Sequence, residues 1–142
     1  MPTNAEQALQ TGSAILAATL ANHGFVFHFE SSGRGSGGDF ASGAFVRGNR
    51  MLEIHFRYSL GLVTYRLGDR ALSHEAFMWS VLGKPHASHY PGFSDDPMGG
   101  FRDLRADLEE YGADFLKGAD TEFLRHCERA IHLEKTRPRL PV

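Results

Sequence analysis

The chain has 142 residues, 42% apolar and 23% charged, with a net charge of −2, values ordinary for a folded protein and sufficient for one domain with its own core. Its single cysteine, Cys127, excludes an intrachain disulfide, and no apolar run reaches membrane-spanning length. The N-terminus lacks a basic start followed by an apolar core, so the sequence reads as cytoplasmic and without a membrane partner.

Charge is distributed as a mosaic. Residues 31–70 carry six Arg against Asp39, Glu53 and Asp69, whereas residues 94–122 carry nine acids against Arg102, Arg105 and Lys117. Nucleic-acid binding wants a clustered basic footprint, and none is present.

Thr3-Asn4-Ala5-Glu6 has capping-box spacing, and Ala5, Ala8, Leu9, Gly12, Leu16, Thr19 and Leu20 recur at helical intervals, predicting a helix over about 4–22 with Gly24 as its stop. Phe25, Phe27 and Phe29 alternate with Val26, His28 and Glu30, a strand with three Phe facing a core. Ser31 to Asp39 reads as a glycine-rich connector. It matches G-x-G-x-x-G formally, but a strand follows where the dinucleotide fingerprint requires a helix.

Residues 40–68 predict three antiparallel strands. Gly48-Asn49 suits a type II′ turn and pairs Phe45 with Leu52, Gly43 with Ile54 and Ala41 with Phe56. A second turn around Leu60-Gly61 pairs Tyr58 with Val63, Phe56 with Tyr65 and Ile54 with Leu67. Both hairpins put Ile54 and Phe56 on one apolar face, a parity that a one-residue slip destroys. The opposite face carries Ser42, Glu53, His55, Arg57, Thr64 and Arg66, with Ser42, His55 and Arg66 expected in one cross-strand row.

Gly68-Asp69-Arg70 reads as a turn, Ser73 as the N-cap of a helix ending at Gly83, and Trp79 as core. His74-Glu75 begins H-E-x-x-H, but Met78 occupies the fifth position and the zinc motif fails. Lys84 to Pro97 is a long irregular stretch holding His86, His89, Tyr90, Asp95 and Asp96, with Asp96 as a cap before Pro97. Its spacing matches no metal-ligand pattern, so neither metal nor cofactor is expected. Phe101, Leu104, Leu108, Tyr111 and Phe115 give the clearest helical stripe, with Arg102, Asp103, Arg105, Asp107, Glu109 and Glu110 on a solvated outer face and Gly112 as a bend or stop. A last helix opens at Asp120 and buries Cys127.

These elements predict an α+β fold: an N-terminal helix, a four-stranded antiparallel meander and three C-terminal helices packed on one sheet face, in one domain over 1–142 with 136–142 as a tail. The second sheet face is the expected locus of function, because Val26, Phe40, Val46, Met51 and Leu62 lie among its polar residues. The candidate ligand-binding set is Ser42, Glu53, His55, Arg57, Arg66, His86, His89, Tyr90 and Asp95, with no catalytic set assigned. Two functions fit. One is a non-enzymatic interaction protein, a homodimer or an inhibitor-type partner of a larger protein. The other is a small-molecule enzyme or sensor in which Arg57 and Arg66 clamp an anion and His55 works with Glu53. If residues 84–97 fold over the second face, that face becomes the floor of a pocket.

Overall fold

Glycine-first turns set the sheet. In a computed structural model, which describes residues 4–35, 38–85, 87–92 and 96–136, Gly48 has φ 59° while Asn49 keeps an ordinary φ, as a type II′ turn demands. The resulting register pairs Phe45 with Leu52, Gly43 with Ile54 and Ala41 with Phe56, as the turn chemistry predicts. Gly68, also at φ 59°, makes the corresponding turn between Leu67 and Arg70.

The element order is α1 (Asn4–Leu20), β1 (Val26–Gly35), β2 (Gly38–Arg47), β3 (Arg50–Arg57), β4 (Ser59–Leu67), β5 (Arg70–Ser73), α2 (His74–Leu82), α3 (Gly99–Tyr111), α4 (Ala113–Leu116) and α5 (Asp120–Thr136). The fold is α+β, and its antiparallel sheet has five strands in sequential order rather than four. The added strand, Arg70–Ser73, buries only Leu72, too little to produce a legible alternation.

Alternation along β3 divides the sheet into two faces. Leu52, Ile54 and Phe56 are buried under the helices, whereas Met51 and Glu53 are half-buried and His55 and Arg57 exposed. α1 and α3 meet over the first strands, and Gly12 permits it: a Cβ there would lie 2.4 Å from the Phe101 ring. α2 and α5 pack together over β4 and β5. Between them runs an aromatic seam in which Tyr65 stacks on Phe77 at 4.7 Å and meets the edge of Phe115 at 4.8 Å. α2 starts where expected, with Ser73 Oγ accepting from the Ala76 N–H at 3.1 Å, and stops at Gly83 with φ 76°.

Several local expectations are corrected. The β3–β4 register pairs Ile54 with Val63 and Phe56 with Leu60, because the chain turns at Tyr58 (φ 63°) and Gly61-Leu62 bulge opposite His55. The bulge keeps Leu60 and Val63 both under the helices, which preserves the face assignment while shifting every pair. Tyr58 itself is 72% exposed instead of facing the core. Phe29 is 52% exposed: it lies on the edge strand at a second bulge, between Phe29 and Ser31. The glycine-rich connector is largely strand, since the β1–β2 ladder continues to Gly35 and Gly38. Trp79 is half-buried rather than core, whereas Gly112 stops α3 as its position suggests, with α4 following it.

Candidate functional site

Register alone maps the helix-free face into cross-strand rows. Val26, Val46, Met51, Arg66 and Ala71 form the first; His28, Ala44, Glu53, Thr64 and Ser73 the second; Ser31, Ser42 and His55 the third; Gly33 and Phe40 the fourth, with Arg57 beside Phe40. Leu62, 72% exposed, stands beside the last two on the bulge. Ser42 is buried among its neighbours, its hydroxyl 2.7 Å from that of Ser31. Glu53 accepts from Arg66 Nε, a diagonal pair between adjacent strands. Arg57 lies over the Phe40 ring, 5.4 Å from its centroid.

Ser42 and His55 are brought together as expected, but Arg66 belongs to the Met51 row. Arg57 stands six residues along β3 from Met51, roughly 20 Å at strand rise, too far for the two guanidinium groups to clamp one small anion. Glu53 is taken by Arg66 and does not orient His55. What remains near His55 is a shallow cavity of about 310 Å³ lined by Phe40, His55, Arg57, Ser59 and Leu62.

The stretch after α2 goes elsewhere. His86 and Asp95 lie outside the described residues. Tyr90 is buried in the helix-side core, its hydroxyl 2.7 Å from the Leu60 carbonyl oxygen and 2.6 Å from that of Gly61, and burial pushes its pKa up to about 12. His89 stacks on Tyr111 of α3 and lies 2.6 Å from a Glu110 carboxylate oxygen. The described part of the loop therefore clasps α3 and reaches the β4 bulge from beneath, on the helix side of the sheet and not over the second face.

The anchor is a residue that sequence spacing had placed in solvent. Asp107 is fully buried: Oδ1 accepts from the His89 N–H at 2.7 Å, and Oδ2 accepts from the Tyr90 N–H at 2.9 Å and from His74 Nε2 at 2.8 Å. With Nε2–H donating, His74 Nδ1 is left to accept from the Tyr65 hydroxyl 2.7 Å away. Burial, with the Asp107 charge, holds the Tyr65 phenol well above its usual range. One signal was available: Leu104, Asp107, Leu108 and Tyr111 share a helical face by their 3 and 4 spacing. Tyr65, His74 and Asp107 are each at most 3% exposed, so this chain of hydrogen bonds is a structural tie.

A second chain joins the other helices. Ser80 Oγ lies 2.6 Å from His126 Nδ1, and His126 Nε2 lies 2.7 Å from Asp114 Oδ2. These are the residue types of a hydrolytic triad. Ser80, however, sits inside α2 at 3% exposure with the Phe77 ring against His126, where no acyl substrate reaches it. It ties α2 to α5 and α4. Cys127 is likewise buried, and burial pushes its thiol up.

Among the described residues no cluster of three or more His, Cys, Asp or Glu is placed to hold a metal ion, and no helix is long and apolar enough to cross a membrane. Comparison with protein-family models, curated proteins and solved structures returned no match to the chain.

The His89 clasp carries a pH expectation. Its hydrogen bond to Glu110 raises the imidazole pKa above the ordinary 6.5, so the stabilisation is complete below that value and is lost as pH rises through the folded-state pKa. Both side chains are near half exposure, which limits the effect to about 1 kcal/mol or less. Wild type should exceed Glu110→Gln in melting temperature at mildly acid pH, with the gap closing toward alkaline pH.

Proposed function

We propose that the protein is a non-enzymatic interaction protein whose helix-free sheet face binds a second copy of the chain. The observation that carries this reading is the apolar row Val26, Val46 and Met51, crossing three strands on the helix-free face, with Val26 58% exposed and Val46 and Met51 half-buried. Leu62 and Phe40 extend the apolar surface at the opposite end of the face. A face left only to water gains nothing from such side chains, and exposed contiguous apolar surface marks an interface.

Charge argues for self-association. Arg66 is paired with Glu53 and Arg57 rests on Phe40, so two copies meet without a field of one sign repelling itself. An isologous pair of twisted sheets, packed aligned about 10 Å apart, makes a sandwich in which each Met51 row buries against its counterpart. The alternative of an anion-binding enzyme or sensor is weaker because its Arg66 and Glu53 are bound to each other and its Arg57 lies a strand's length away.

Met51→Glu introduces a like charge into both copies. The dimer dissociation constant from sedimentation should rise by about a hundredfold or more. The control Glu128→Lys, on the exposed side of α5, should leave it unchanged. Equal constants for Met51→Glu and wild type would refute the assignment to this face.

A further inference from the structure

The sheet ends in two unequal edges. β5 is four residues long, but β1 runs for ten and, among the described residues, pairs only with β2. A long edge presents a row of unpaired N–H and C=O groups, and its chemical complement is another extended strand. Beside this edge, on the helix side, lies a cavity of about 410 Å³ lined by Phe27 and Phe29 of β1 and by Glu6, Gln10 and Ser13 of α1. The three α1 residues follow i, i+4, i+7 spacing and form one helical face. Phe29, half exposed, is the wall nearest the edge.

We propose that the β1 edge takes an extended segment of a partner protein as a sixth strand, with a Lys or Arg side chain of that segment entering the cavity. The lining selects this side chain. Its aliphatic stem lies along the Phe27 and Phe29 rings, and its cationic head reaches the negative charge of Glu6, whose carboxylate accepts from Ser32 Oγ at 2.6 Å. Glu30, exposed at the Phe29/Ser31 bulge, adds a second negative charge along the same edge. A strand's alternate residues point to opposite faces, so a basic residue in the cavity is flanked by residues that turn away from it. The edge is distinct from the sheet face, and this inference stands apart from self-association.

The test is selection of a displayed library of random linear dodecapeptides on the intact protein, followed by binding and amide-exchange measurements with the enriched peptides. Enriched peptides should carry a Lys or Arg within an extended, alternating pattern and slow amide exchange in residues 26–34. Their affinity should fall about tenfold on Glu6→Gln and on Gln10→Trp, which fills the cavity, and by at least as much when alternate peptide amides are N-methylated. The proposal is overturned if no peptide is enriched, if binding ignores Glu6→Gln and N-methylation, or if exchange slows elsewhere. It is equally overturned if the β1 edge is already protected in the free protein.

Discussion

Asp107→Ala should destabilise the protein by about 3–5 kcal/mol, a large share of the stability of an ordinary domain. The carboxylate accepts three hydrogen bonds at a fully buried position, from the His89 and Tyr90 N–H groups and from His74. Alanine leaves all three donors without a partner and without water. Asp107→Asn should rescue only in part: with its oxygen in the place of Oδ2 it keeps the His74 and Tyr90 donors, but its NH₂ group then meets the His89 N–H as donor against donor. Urea denaturation gives the magnitude. Amide exchange gives the location: residues 87–92 should lose protection in both variants, and Tyr65→Phe, which removes only the hydroxyl on His74 Nδ1, should cost about 1–2 kcal/mol without freeing that segment.

Arg50→Ala should cost about 2–4 kcal/mol through a different part of the fold. Arg50 is 6% exposed, and its fork reaches the Phe115 carbonyl at 2.6 Å, the Gly118 carbonyl at 2.5 Å and Asp120 Oδ1 at 2.8 Å. These carbonyls close α4 and lead into α5, so the β2–β3 turn holds the junction of the last two helices. Arg47 supports it with bonds to the His23 and Leu116 carbonyls, each 2.6 Å. The planar fork is what matters, so Arg50→Lys should recover less than half of the loss. Asp120→Ala should cost under about 1 kcal/mol, because its side chain is 58% exposed and the charge pair is screened. Equal losses for Arg50→Ala and Asp120→Ala, measured by chemical denaturation, would show that the ion pair and not the carbonyl fork carries the effect.

How much of this was legible in the sequence depended on whether a local rule decided it. The β2–β3 register followed from Gly48-Asn49, since a two-residue turn admits one ladder, and Ser73 and Gly83 marked the ends of α2 by capping chemistry alone. The β3–β4 register was not legible, because Tyr58 is a non-glycine residue at positive φ and the Gly61-Leu62 bulge absorbs the resulting offset; neither has a strong composition signal. Parity survived, so the residues of the candidate face were named correctly and Ser42 still meets His55, while Arg66 moves to the Met51 row. Asp107 was hidden by the rule that a carboxylate on an amphipathic helix faces water. Its burial depends on donors from the 87–92 segment and from His74, which are contributed by distant parts of the chain and visible only once the fold brings them together. In the sequence, Arg57 and Arg66 read as an anion clamp under one of the two functions that fit. Arg47 and Arg50 in fact serve helix carbonyls, Arg66 serves Glu53, and Arg34 lies 3.3 Å from Asp39.

Those assignments leave the apolar row of the helix-free sheet face as a feature that the packing among the described residues does not explain. Sedimentation equilibrium of the wild-type chain from micromolar to millimolar concentration tests its proposed role most directly. A reversible rise from the chain mass to twice that mass is the predicted result. A single chain mass across the whole range would contradict it.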